Sequence, residues 1–389
     1  MPWKVSHLMN ERMEFVTRLS KGERMTDLCE ELGISRKTGY KFWRRYQEQG
    51  VGGLEDASRA PKRVARRTNA AVEELLVKAR KRHTNWGGKK LKDILEYKQP
   101  GLKLPSVSTI AAILKRRGLV EGRKRRRRPE LYGGALTQPQ SPNEVWGVDY
   151  KGQFRMGNGR YCYPLTASDL CSRYLLVTEA LDGTDEESAR PVFEQAFAEY
   201  GLPAVIRTDN GSPFASQGLA GLTKLSAWWL RLGINHQRTE PAHPEQNGCH
   251  ERMHRTLKAE TTRPAGQNSL QQQERFDAFR HEFNEERPHE ALEMKRPAQL
   301  YRPSETPLPA TLPDLAYPLH DDVLEVTRAG HIRLPGGRQC FLSYALARQL
   351  VGLREGADGR WLVTYVALDL GAYDPRRGEF EPTSTPRMT

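Results

Sequence analysis

The chain has 389 residues and a mass of 44.3 kDa, too long for one ordinary domain, so about three modules are expected. With 37% hydrophobic residues it can build real cores, yet no window approaches a membrane span, which argues against a membrane protein. Net charge is +13 and lopsided: residues 1–130 carry 33 Lys and Arg against 15 Asp and Glu, whereas the rest carries 28 against 33, so a polyanion is expected to be gripped by the first third.

Residues 11–20 read as a first short helix. The stretch from Thr26 to Tyr46 has the pattern of a helix-turn-helix: Leu28 and Leu32 give an apolar face, Gly33 the turn, and Ser35 a cap for the next helix. On that second helix Tyr40, Trp43 and Tyr46 recur at threes as the expected anchor. Arg36, Lys37, Lys41, Arg44 and Arg45 are expected to face outward to DNA phosphates. A basic linker follows, with Gly52, Gly53 and Pro61. Residues 70–83, 88–97 and a helix capped by Ser106 (Ile110, Ile113 and Leu114 apolar) then repeat the layout as a second unit. Six consecutive cations at 123–128, beginning Arg123, Lys124, Arg125 and Arg126, form a phosphate-tracking tether.

From about Ser141 strands alternate with helices. Residues 145–148, 161–168, 173–178 and 204–208 read as strands, and 185–200, 219–232 and 247–262 as helices, which indicates an α/β sheet with mixed pairing. The first strand ends at Asp149 and the fourth at Asp209, and Glu251 opens the last helix. Carboxylates gathered from strand ends and a helix are how a protein holds hard divalent cations, and two such ions astride a phosphodiester can activate the attacking oxygen and stabilise the leaving one. Asp169 is a rival acid, read as a turn residue. His243, His250 and His254 do not make a zinc site, because neither cysteine nor an acid cluster completes four ligands. After a Pro-rich linker at 298–318, short apolar runs broken by Pro335-Gly-Gly and Asp358-Gly suit a small antiparallel β barrel. Five scattered cysteines without a CxxC pair are expected to be buried free thiols. The opening Met-Pro-Trp-Lys-Val-Ser-His lacks a signal peptide's apolar stretch, so a cytoplasmic protein is expected.

Three segments closely resemble one family: Thr208-Asp209-Asn210-Gly211; His243-Pro-Glu-Gln-Asn-Gly-Cys-His-Glu251 through Lys258; and Asn284-Glu-Glu-Arg-Pro-His289-Glu-Ala-Leu292. They are similar to the core of retroviral-integrase-like DDE transposases, and within these to the IS481 group of insertion sequences, related to IS3. The resemblance implies a multi-domain α+β protein: helix-turn-helix units at 1–60 and, with a basic linker, 61–130; an RNase H-like core at 140–300; and a small C-terminal β barrel at 318–375. It implies Asp149, Asp209 and Glu251 as the catalytic, metal-holding acids. Glu245 fits the family's customary interval better, lying 36 residues after Asp209 against 42 for Glu251, but it sits in a Pro-rich loop, and the family places its Glu three residues after the glycine that Gly248 matches. Arg255 and Lys258 share a helical face with Glu251 and would grip the DNA end.

Asn210 and Gly211 would shape the turn that aims Asp209, while His243, Asn247 and His289 have hydrogen-bonding roles. The activity implied is cleavage at transposon ends and joining of the 3′-OH to target DNA with two Mg²⁺ ions, Mn²⁺ substituting. The partners implied are double-stranded DNA and further copies of the chain on it. The competing class is a DNA-binding regulator with an inactive core.

Overall fold

The computed structural model describes residues 8–56, 68–120, 136–240, 248–334 and 337–383. Arg123, Lys124, Arg125 and Arg126, with His243, Glu245 and Asn247, lie outside the described residues. The chain divides into two compact units, Met1–Thr68 and Asn69–Thr389. No described helix is long and apolar enough to cross a membrane.

The first unit contains α1 (Leu8–Ser20), α2 (Met25–Glu31) and α3 (Arg36–Gln49) around Phe15, Val16, Leu28, Ile34, Phe42 and Leu54. Gly33 takes the left-handed turn at φ +61°, and the Ser35 hydroxyl accepts from the Thr38 N–H to start α3. The buried face of α3 is Gly39 and Phe42, with Trp43 and Tyr46 half-buried; Tyr40 is 59% exposed. A spacing of threes cannot keep one face of a 3.6-residue helix, so Tyr40 drifts to the solvent side. Gly39 is where α2 and α3 nearly touch, because a Cβ there would lie 2.6 Å from the Cys29 sulfur and 3.1 Å from Phe15. Gly39→Val is therefore expected to destabilise this unit by about 1–3 kcal/mol, read as an earlier thermal transition. An unchanged melting curve would show that the two helices can part without cost.

In the second unit, α4 (Ala70–Arg82), α5 (Gly88–Lys98) and α6 (Val107–Arg116) close on Leu76, Trp86, Leu91, Ile94, Ile110, Ile113 and Leu114. Ser106 caps α6 as the sequence predicts. These helices are tied to the α/β core: His83 Nδ1 lies 2.8 Å from Glu282, Lys98 pairs with Glu286, and Arg296 with Asp93.

The core sheet comprises β1 (Val145–Tyr150), β2 (Phe154–Arg155), β3 (Tyr161–Asp169), β4 (Leu175–Leu181), β5 (Val205–Thr208) and β6 (Asn235–Arg238), with α7 (Glu186–Tyr200) joining β4 to β5 and α8 (Lys224–Arg231) joining β5 to β6. β1, β3 and β4 pair antiparallel, while β5 and β6 add to β1 in parallel, so the sheet is mixed. Helices α7 and α8 cover one face through Phe193, Phe197, Trp228 and Trp229. On the other face lie α9 (Gly248–Thr261) and α10 (Ser269–His281), through Met253, Leu257, Phe276 and Phe279. The sequence pattern misses β6, whose Asn-His-Gln-Arg has no apolar alternation and which, among the described residues, pairs only with β5 at the sheet's edge.

After α11 (Pro297–Leu300) come β7 (Asp322–Glu325), β8 (His331–Arg333), β9 (Gln339–Phe341), β10 (Leu350–Glu355), β11 (Trp361–Tyr365), β12 (Leu368–Asp374) and β13 (Glu379–Pro382). The expected barrel is not there: among the described residues β13-β12-β11-β10-β7 form an open antiparallel sheet, and β8 pairs with β9 separately. One face of the open sheet is buried in a cluster shared with Ile332, Leu334, Leu342 and Leu346 of the β8–β9 region and with Ala227 and Leu230 of α8. Tyr365 secures the contact by donating to the Ala227 carbonyl. Of the cysteines, all free, Cys29 and Cys162 are buried and Cys171, Cys249 and Cys340 half-buried.

Candidate active site

β1 and β5 are parallel neighbours, with Val145 beside Val205 and Gly147 beside Arg207. Continuing that register by two residues sets Asp149 level with Asp209 at the same end of the sheet. Alternation along β1 sends Trp146 and Val148 into the α7/α8 core, so Asp149 projects to the α9 side. Asp209 follows the last residue of β5, and its carboxylate accepts from the Gly211 N–H at 3.0 Å, while the Asn210 amide donates to the Thr239 carbonyl. The Gly211 N–H thus fixes the Asp209 carboxylate, and Asn210 ties the turn to the residue after β6.

Glu251 stands in the first turn of α9 and is exposed, as are Arg255 and Lys258 on the same helical face. The opposite face of α9 is buried through His250, Met253, His254 and Leu257. Asp209 and Glu251 act on Asp149 electrostatically. The Asp149 carboxyl is pushed up to about 7, chiefly by burial, next by the Asp209 charge, with Glu251 adding to it. The Tyr150 N–H and Lys151 oppose the rise only in part. Repelling carboxylates at a partly open sheet end, with little positive charge to answer them, suit a divalent cation.

The sequence pattern misses a second set of groups at Asp149. Thr166 is its cross-strand partner, and the Thr166 hydroxyl lies 2.9 Å from the Asp149 carbonyl. The same hydroxyl is 2.7 Å from His250 Nε2 and 2.7 Å from His254 Nε2, while His250 Nδ1 meets the Ser168 hydroxyl at 3.1 Å. Gly147 makes room for this cluster, since a Cβ there would meet Leu170 at 2.8 Å and His250 at 3.4 Å. Burial pushes His250 down to about 3, and burial, then His250 and Lys151, lower His254 further. Both rings are therefore neutral, and the 3.6 Å approach of His254 Nδ1 to Asp149 Oδ2 is not an ion pair.

Ligand atoms of Asp149, His250 and His254 all lie within 4.8 Å of one another. The acid that the histidine spacing lacks in sequence is thus brought by a strand about a hundred residues earlier. The one available signal was the pair of histidines four apart on Glu251's own helix.

Asp169 has a different setting. It is fully buried and accepts from the Asn143 N–H and from both the N–H and the hydroxyl of Ser172, which closes the turn after β3. Asp169→Ala would strand those donors and is expected to cost about 3 kcal/mol or more in thermal stability while leaving divalent-metal binding at Asp149 intact below the melting point. Loss of that binding in the folded variant would make Asp169 part of the site.

Among the predicted DNA contacts, Arg36, Lys37, Lys41 and Arg44 are exposed on α3. Arg45 is not held outward. Its guanidinium donates to the Glu55 carbonyl at 2.7 Å and lies 5.7 Å from the Phe42 ring centre, tying α3 to the turn that follows it. His289, the third segment's histidine, is half-buried with its ring packed on Phe283, and among the described residues its Nε2 has no hydrogen-bond partner. Asn284 of that segment exchanges two hydrogen bonds with Leu175 on β4.

An integrase core domain family matches residues 139–244, and a second integrase core domain family matches 232–297. A helix-turn-helix domain family matches residues 11–62 and a homeodomain-like domain family residues 38–114. The chain is 27% identical over 232 residues to an uncharacterized 39.2 kDa protein of insertion element IS476 from Xanthomonas euvesicatoria, covering 59% of this chain and 64% of that protein. It is 31% identical over 130 residues to the Pol polyprotein of feline endogenous virus ECE1, covering 33% of this chain and 12% of the polyprotein. The match thus spans less than two-thirds of each of these relatives. Among solved structures, the simian T-cell lymphotropic virus intasome in complex with a PP2A regulatory subunit is 17% identical, with a TM-score of 0.37, covering 80% of this chain and 98% of that chain. The HTLV-2 integrase catalytic core domain in complex with magnesium is 18% identical, with a TM-score of 0.34, covering 42% of this chain and 100% of that chain. Helix-turn-helix domains thus precede an integrase core domain in one chain, and insertion-element proteins are among those it is similar to.

Proposed function

We propose that the protein binds the terminal inverted repeats of its element, cleaves the DNA at those ends and joins the freed 3′-OH to target DNA. This reading is supported by the parallel β1–β5 register, Gly147 beside Arg207, which continued by two residues brings Asp149 level with Asp209, and by the charges of Asp209 and Glu251 acting on Asp149. Divalent ions at these acids, two Mg²⁺ with Mn²⁺ as substitute, would supply activation of the attacking oxygen and stabilisation of the leaving one.

The chain's own residues do the rest. Asp149 and Asp209 are fixed by strand pairing and by the Gly211 N–H, so their oxygens need little reorganisation. Glu251 is exposed where a phosphodiester can approach, with Arg255 and Lys258 one and two turns further along the same face to neutralise its flanking phosphates. Water and then a 3′-OH would be the successive nucleophiles, and each step releases one oxygen of the phosphodiester attacked.

Arg36, Lys37, Lys41 and Arg44 of the first helix-turn-helix region (1–60), aided by the 61–130 region, hold the ends, while residues 140–300 do the chemistry and 318–375 form the terminal β domain. Copies of the chain are expected to assemble on the paired ends. The test is incubation of the full chain with labelled candidate ends and Mg²⁺. Joined products are expected, at a yield that falls steeply as salt rises. Tight end binding without metal-dependent nicking would replace this reading with a DNA-binding regulator.

A further inference from the structure

The Thr166 hydroxyl has one hydrogen and three polar neighbours. One of them, the Asp149 carbonyl at 2.9 Å, can only accept, so the hydrogen goes there. The other two, Nε2 of His250 and Nε2 of His254, each at 2.7 Å, must then donate to the hydroxyl's lone pairs. A neutral histidine that carries its proton on Nε2 has a bare lone pair on Nδ1. At His250 that lone pair is met by the Ser168 hydroxyl. At His254 it is turned on Asp149 Oδ2, 3.6 Å away. With Asp149 ionised, two acceptors then face each other at 3.6 Å, a separation beyond a hydrogen bond. Asp149 and His254 could both give an electron pair to a divalent ion there.

We propose that His254 is a nitrogen ligand, through Nδ1, of the divalent ion held by Asp149, and that this centre therefore favours an ion that accepts imidazole, such as Mn²⁺, over Mg²⁺. The inference rests on Asp149 being a metal-holding carboxylate, and adds a donor to it. Magnesium takes oxygen ligands and keeps its waters, whereas imidazole is a normal ligand for transition metals. His250 is a positioning residue. With Thr166 it fixes the tautomer and orientation of His254, in the way that hydrogen-bonded partners outside a metal's own ligands generally do. The neighbouring carboxylates Asp209 and Glu251 supply the remaining negative charge near Asp149.

The test uses the full chain with Mn²⁺ alone and reads electron spin-echo modulation from ¹⁴N. The wild type is expected to show a directly coupled nitrogen. His254→Gln is expected to lose that coupling and to bind Mn²⁺ roughly 10-fold or more weakly, with a smaller change for Mg²⁺. His250→Gln should keep the coupling. Mn²⁺ bound to the wild type in an Asp149-dependent way, yet without coupled nitrogen, would overturn the inference and leave the carboxylate reading standing. If Asp149→Asn instead bound Mn²⁺ as tightly as the wild type, the carboxylate reading would fall, and the inference with it. The decisive spectrum is that of the unmodified protein, so poor folding of a variant cannot obscure it.

Discussion

Asp209→Asn is expected to lose end cleavage and strand joining together, by about 10³-fold or more, an effect on the order of 4 kcal/mol in barrier height. The exchange keeps the side chain's size and removes its charge. Asp209 is exposed at the end of β5, and the hydrogen bond it accepts from the Gly211 N–H can be accepted equally by an amide oxygen. Folding should therefore be untouched and only the oxygen ligand lost. The exposed cations of α3 lie in the other structural unit, so binding to the terminal repeats should persist within a few-fold. Gel retardation and a strand-transfer assay on the same preparation separate the two effects. Normal joining by this variant would remove Asp209 from the chemistry.

Asp149→Asn is expected to do something less intuitive, making the metal-free protein more stable at alkaline pH. The Asp149 carboxyl is held up to about 7, far above the ordinary aspartate range near 4, by burial and by the charges of Asp209 and Glu251. A group raised in this way contributes stability that is complete below the unfolded value and is lost as pH rises through the folded one. In chelator the wild type should thus weaken between about pH 4 and pH 7, and the variant, with no charge to bury, should not. At pH 8 the variant should be the more stable by on the order of 2–4 kcal/mol, a difference that closes toward pH 4.

Adding a divalent ion should invert the order, because the ion binds the charged form and stabilises only the wild type. Unfolding curves from pH 4 to 8, with and without metal, check this. A variant less stable than the wild type at pH 8 in chelator would mean that Asp149 is not a crowded, half-buried acid. Activity in Asp149→Asn should be lost as in Asp209→Asn, so the pair of variants separates the electrostatic cost of assembling the site from its use.

Much of the site is legible as local pattern. An apolar run stopped by an acid reads as a strand end, and both acids lie near one: Asp149 is the penultimate residue of β1 and Asp209 follows β5 directly. Ser35 and Ser106 announce helix starts because capping is a contact over three residues. Local rules do not describe distant partners. A helix does not hold a spacing of threes on one face, so Tyr40 is exposed and not part of the anchor, and Arg45 turns to a carbonyl ten residues on. The expected barrel is not found because strand alternation says which face is buried, not what buries it; here the open sheet shares its core with the β8–β9 region and with α8.

The amino-acid order alone determined the lopsided charge, the helix-turn-helix with its cap and turn, the alternation of strands and helices, and the three acids suited to hard cations. These are properties of neighbours in the chain, set by backbone sterics, side-chain periodicity and formal charge. Only the tertiary structure decided that Thr166, from the strand opposite Asp149, gathers two histidines of α9 and leaves one nitrogen turned on that carboxylate. Hydrogen-bond direction is fixed by every partner at once, and those partners, between residues 149 and 254, become neighbours only when the sheet and its helix close on each other.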